Sequence, residues 1–205
     1  MSVPISPCKI LVLGHSYVYW VGAFVRSAGP TSAGLFGDFT VADRTCEISF
    51  DGVRGATVAT LLSPSVMSRV LACRADVVIL HIGGNDICAR SASSPIMVAM
   101  DVLRLARRLL ESGTKRVAVC QVCRRRSWRG LTHEEGTARV IEINRYLEAF
   151  CRDSDGVFFW RHKRVWNSVH DVFRADGVHF NDVGNYRFYR SLRGAMMKAV
   201  QQVFG

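Results

Sequence analysis

A hydroxyl, an imidazole, a carboxylate and a carboxamide stand far apart in this chain, each in a short glycine-marked segment. The segments are Gly14-His15-Ser16, Gly83-Gly84-Asn85-Asp86 and Asp176-Gly177-Val178-His179. Acyl transfer needs a nucleophile, a base that takes its proton, a group that orients the base, and donors aimed at the oxygen that becomes negative. Ser16 is the candidate nucleophile, following an apolar run and opening a helix, so that its own N–H sits at a positive helix terminus. His179 is the candidate base. Asp176, three residues earlier on the same turn, can accept from the imidazole and fix its tautomer. Gly55 offers a backbone N–H that no side chain screens, and Asn85 offers an amide N–H.

Taken singly, each piece has a plainer reading. Ser16 is also a favoured helix cap, and Asp176-Gly177 also reads as a turn. With 11 Asp and 6 His in 205 residues, chance supplies about 0.3 Asp-x-x-His matches but only about 0.02 Gly-x-Asn-Asp matches. Gly83 to Asp86 is therefore the informative segment, and the order of all the segments is stronger than any one of them.

Five apolar, β-rich runs position these segments: Lys9 to Leu13, Cys46 to Phe50, Val77 to Ile82, Arg116 to Val122 and Val157 to Trp160. Helical spacing recurs between and after them, in Val98, Val102, Leu105 and Leu109, in Val140, Ile143, Leu147 and Phe150, and from Tyr186 to Val203. Strands alternating with helices predict a five-stranded parallel sheet covered on both faces, an α/β/α sandwich in three layers. Gly29 to Phe39, rich in Gly, Ser and Thr, reads as a surface loop. Ligands of such sheets bind beyond the carboxyl ends of the strands, where the strand order reverses. That is where the glycine-marked segments fall.

The whole chain, 1–205, reads as one domain with a short flexible segment at 1–7; 49% of its residues are hydrophobic and it has few prolines. The longest stretch without Asp, Glu, Lys or Arg is the 16 residues between Lys9 and Arg26, short of the ~20 that span a bilayer. Neither a secretory leader nor a lipidation motif is read at the start or end. Seven cysteines, an odd number mostly inside apolar runs, fit a reducing, intracellular and cytoplasmic setting. Cys120 and Cys123 form a Cys-x-x-C without a second pair, so they read as strand packing and no metal or cofactor is expected. His81, within an apolar run, reads as a satisfied core histidine, and His133, His162 and His170 show no metal spacing. Among Tyr17, Tyr19, Trp20 and Phe24, at least two are expected in the core, with Tyr17 the alternative wall of an acyl pocket.

The net charge is +10. Arginine clusters at 104, 107 and 108, at 124, 125, 126 and 129, and, with Lys163, at 161 and 164, and at 187, 190 and 193, draw anions. Arg125, Arg126 and Trp128, beside the crevice, are candidate contacts for an anionic substrate group, with a solvated loop as the even alternative. RNA or an anionic membrane is the corresponding macromolecular partner, and a basic binding module is the rival to an enzyme.

With these residues in place, the chain resembles the SGNH, or GDSL, hydrolase family over nearly its whole length. The resemblance implies a flavodoxin-like fold and a serine esterase acting through an acyl-enzyme. It implies Ser16, His179 and Asp176 as triad, with Ser16, Gly55 and Asn85 as oxyanion hole. Gly52 rivals Gly55, and the spacing Gly-x-x-Gly-x-Thr favours the second. His15 stands where the family usually has Asp. A closer resemblance, carried by Leu11 to Val18, His81 to Asp86, Arg125 to Gly130 and Asp176 to Asn181, is to the esterase domain of first open-reading-frame proteins of LINE-type non-LTR retrotransposons. It implies an element-encoded protein that accompanies RNA. The expected substrates are small acetyl-type esters, lipids among them.

Overall fold

The computed structural model describes residues 6–28, 39–88, 93–163, 165 and 171–205. A six-stranded sheet forms the middle layer, in the order β2-β3-β1-β4-β5-β6. The strands are β1 (Cys8–Gly14), β2 (Phe39–Val41), β3 (Arg44–Gly52), β4 (Val77–His81), β5 (Arg116–Cys120) and β6 (Val157–Trp160). The helices are α1 (Ser16–Ser27), α2 (Val58–Leu62), α3 (Pro64–Ala72), α4 (Pro95–Glu111), α5 (His133–Arg152) and α6 (Asp182–Phe204).

Strand β1 is apolar almost throughout because helices cover both of its faces. Its Ile10, Leu11, Val12 and Leu13 are buried, each contributing about 2 kcal/mol relative to exposure. Leu11 and Leu13 point into the core under α2 to α5, Ile10 and Val12 into the core under α1 and α6. The predicted positions Val98, Val102, Leu105 and Leu109 are the buried stripe of α4, and Val140, Ile143 and Leu147 that of α5, while Phe150 packs at its edge.

Five strands are parallel, and their order places β1 between β3 and β4. The sheet has one strand more than the sequence predicts. Strand β2 pairs antiparallel with β3 through a two-residue turn, Ala42-Asp43, in which both residues have positive φ, 50° and 57°. Such turns usually announce themselves as Asn-Gly, Asp-Gly or Gly-Gly, and this one has an alanine first and no glycine. The short helices α2 and α3 have too few turns to show a period, and β5 ends at Cys120, two residues before the apolar run does. Most of the Gly29 to Phe39 loop lies outside the described residues, but Phe39 is already in β2. Of the N-terminal segment, residues 1–5 lie outside them, and Ser6 accepts a hydrogen bond from Arg44. Among the described residues, no helix is long and apolar enough to cross a membrane.

Candidate active site

The switch point lies above β1, where crossovers leave toward β3 on one side and β4 on the other. Ser16 is the first residue of α1, and the preceding His15 is its cap, accepting from the N–H of Tyr17 through Nδ1 at 3.3 Å. The serine hydroxyl is thus not used as a cap. It stands 3.1 Å from His179 Nε2, and His179 Nδ1 stands 2.7 Å from Asp176 Oδ2. The other carboxylate oxygen of Asp176 accepts from the N–H groups of Val178 and His179, at 2.8 and 2.9 Å. Burial alone would raise the Asp176 pKa, but the bonds from the His179 ring and these two N–H groups outweigh it and hold the carboxyl at about 2. A permanent anion behind the imidazole stabilises the protonated ring that forms when the ring takes a proton.

The loop carrying Asp176 and His179 is closed on itself. Arg174 N–H donates to His179 O at 2.7 Å and Asn181 N–H to Val172 O at 3.0 Å, while Phe173 and Phe180 form a bridge. Asn181 then caps α6 by accepting from Gly184 N–H. Two further clasps fix the loop against the rest of the fold. Tyr17 Oη donates to Val178 O at 2.6 Å, and the N–H groups of Arg126 and Ser127 both donate to Gly177 O.

Opposite the serine, the carboxamide of Asn85 is held at both ends. Its Nδ2 donates to Ala56 O at 2.9 Å and its Oδ1 accepts from Arg125 at 3.0 Å, so the amide is fixed with one N–H still to give. Gly55 has φ of +73° and open space where a side chain would be, and its N–H makes no hydrogen bond with the described residues. Gly52 differs: a Cβ there would lie 2.0 Å from Tyr19 N, so this glycine serves the contact between β3 and α1. Ser16, Gly55 and Asn85 line a cleft of about 770 Å³ together with Asp176 and His179.

Three of the sequence expectations for this region are corrected. Arg126 does not face the cleft, because its guanidinium is taken by Asp171 at 2.7 Å. Trp128 is buried against Gly136 in the core beneath. Tyr17 is also buried and absent from the cleft wall, its phenol pushed to a higher pKa by burial; it is the one fully buried residue of its aromatic group, since Tyr19 is exposed and Trp20 and Phe24 are half-buried. Arg125 does reach the cleft, but it is buried and spent on Asn85 and Cys88. Arg129, of the arginine run expected beside the crevice, lines the cleft as well, and so does Arg54, which the sequence did not single out.

Beneath the site the fold assembles a group that no sequence spacing shows. His81, Cys123 and His162 are buried with one ligating atom of each within 4.8 Å of the others. His81 is in the core as expected, yet it is not satisfied, since its Nδ1 lacks a partner among the described residues. Burial pushes the Cys123 thiol up to about 12, and burial together with Arg125 lowers His81 to about 3. All seven cysteines are free. His170 lies outside the described residues.

No curated protein matches the chain in sequence. Among solved structures it is similar to a GDSL-like lipase from Bacteroides thetaiotaomicron, with 16% identity and a TM-score of 0.69 over 93% of this chain and 88% of that one. It is similar to the aryl esterase of M. smegmatis, with 19% identity and a TM-score of 0.66 over 94% and 99%. An acetyl xylan esterase, AlAXEase, follows with 15% identity and a TM-score of 0.62 over 91% and 98%. At these identities the likeness is one of fold. The model of the GDSL-like lipase/acylhydrolase family matches residues 12–187. The chain therefore belongs to that family and is a carboxylic ester hydrolase.

Proposed function

We propose that the protein is a serine esterase for short acyl groups, with Ser16, His179 and Asp176 as its triad. Ser16 Oγ attacks the ester carbonyl as His179 Nε2 takes its proton. The carbonyl oxygen, now negative, is met by the N–H groups of Ser16 and Gly55 and by Asn85 Nδ2. His179 returns the proton to the departing alcohol, and a water activated by the same imidazole then releases the acid from Ser16. The observation that carries this reading is the unbroken series from Ser16 Oγ through His179 to Asp176, at 3.1 and 2.7 Å, opening onto the cleft.

The acyl group is proposed to be acetyl or similar, on lipids among other alcohols. This is supported by neighbours described as aryl and acetyl xylan esterases. The four motif blocks that resemble LINE-type open-reading-frame esterases support an origin in an element-encoded protein. A compatible second reading is docking on RNA or anionic membrane, favoured by the exposed Arg104, Arg107 and Arg108 on α4; binding of this kind weakens steeply with salt.

Ser16→Ala is expected to abolish turnover of para-nitrophenyl acetate while circular dichroism and melting temperature stay unchanged. A fluorophosphonate should leave its adduct on Ser16 of the wild-type protein. Retained turnover in the variant overturns the assignment.

A further inference from the structure

We propose that the cleft selects esters whose alcohol part carries a negative charge, phosphate or carboxylate, and that Arg54 and Arg129 are the pair that binds it. The proposal rests on the esterase reading and adds a substrate class to it.

The charges around the cleft do not balance. Arg54, Arg125 and Arg129 line it, against a single carboxylate, Asp176. Asp176 is already engaged, since one of its oxygens accepts from two backbone N–H groups and the other from the His179 ring. Arg125 is committed to Asn85 and Cys88. Arg54 and Arg129 are exposed, and neither makes a hydrogen bond or ion pair with the described residues. Some surface arginines are paired, as Arg69 with Asp51, Arg126 with Asp171 and Arg161 with Glu148, and others, such as Arg107 and Arg108, are not paired among the described residues; Arg54 and Arg129 are set apart by their place in the cleft wall. Two guanidinium groups without a hydrogen bond or ion pair among the described residues thus stand within the wall of the cleft that holds the triad, each a planar fork of donors suited to a phosphate or carboxylate.

The side of the ester follows from Arg54. Its guanidinium lies over the rings of Tyr19 and Trp20, at 5.7 and 5.8 Å, and the Trp20 ring is 6.3 Å from that of His179. Trp20 is thus a neighbour of both Arg54 and His179, and because His179 hands a proton to the departing oxygen, the cation is assigned to the alcohol side and not to the acyl group. The aromatic rest keeps this arginine near the cleft without neutralising it.

Para-acetoxybenzoate, para-acetoxyphenyl phosphate and methyl para-acetoxybenzoate present the same acetyl group with and without charge. With each rate normalised to hydrolysis by hydroxide, the wild-type kcat/KM for the anionic esters is expected to exceed that for the neutral one by about tenfold or more. That ratio should fall toward one in the double variant Arg54→Gln, Arg129→Gln, and narrow as salt is raised. A ratio near one in the wild type, or an undiminished ratio in the double variant, overturns the proposal. An acetylated lysophosphatidic acid in phosphatidylcholine vesicles, run alongside, tells a lipid headgroup from a free anion: arginine-dependent turnover in the vesicles assigns the former, and its confinement to the soluble esters the latter. Binding keeps the two readings separable. The inactive Ser16→Ala protein should bind para-acetoxybenzoate more tightly than its methyl ester by titration calorimetry, whereas failure of every ester in the wild-type protein counts against the esterase reading and leaves this preference to be judged by the binding arm.

Discussion

Four imidazoles crowd the region around Ser16, and they are in opposite conditions. His179 is partly exposed and has a partner on each nitrogen, Ser16 on one and Asp176 on the other. His15, His81 and His162 form a buried row, with ring centres 5.0 and 5.5 Å apart. Each of the three has one nitrogen without a partner among the described residues. Burial comes first in lowering all of their pKa values; neighbouring His81 and Arg125 add to it at His15, and His81 at His162. The difference lies in what awaits a proton. Of the four, only His179 has a carboxylate aligned with its ring, which suits the proton-carrying role proposed for it.

Exchanging the roles of the two groups is the strongest way to break this comparison. His179→Ala is expected to lower kcat/KM for an aryl acetate by about 10⁴-fold or more and to leave the urea midpoint nearly in place. His162→Gln should do the reverse, keeping turnover within about threefold while changing stability by about 1–3 kcal/mol, since it disturbs a buried hydrogen bond to Ser191. If both variants lost activity equally, the buried row would have to take part in the chemistry.

The oxyanion side sharpens the contrast between a residue that touches substrate and one that holds it. Asn85→Ala should lower kcat by about 10²–10³-fold. Arg125→Met leaves the amide present but unheld, and about tenfold on kcat with little on KM is expected, read from steady-state kinetics on a neutral ester. An effect confined to KM would instead make Arg125 a substrate contact.

A further test is one of acidity. The unfolded chain takes up protons on these three histidines below about pH 6.5, while the folded chain holds them neutral, His81 down to about pH 3. Stability is therefore full above that range and lost as pH falls, at about 4 kcal/mol per pH unit once the unfolded imidazoles are protonated. Urea midpoints at pH 7 and 5.5 measure the slope. His162→Gln should reduce it by about a third, and a midpoint independent of pH would show that the row is not kept neutral.

Much of this geometry was legible because the fold places its chemistry at strand ends, where glycine interrupts apolar runs. Ser16 and Asn85 could be picked out in this way, and Asp176 and His179 by their spacing just before the last helix. What a linear pattern does not report is which way neighbouring side chains turn. Within one arginine-rich loop, Arg125 goes inward to Asn85, Arg126 outward to Asp171 and Trp128 into the core, a division decided by packing. The buried histidine row escaped for the same reason, being drawn from the cap of α1, from β4 and from the chain after β6. The β2 strand escaped because Ala42-Asp43 makes a tight turn without the usual residues.

The phenol of Tyr17 grips Val178 across 161 residues of sequence, next to Ser16 at one end and His179 at the other. With the proposed triad, catalytic competence becomes a report on tertiary completion: a chain whose late loop has yet to dock has a serine but no imidazole beside it. Recovery of turnover during refolding should accordingly lag behind formation of the sheet, giving the folding pathway a chemical clock.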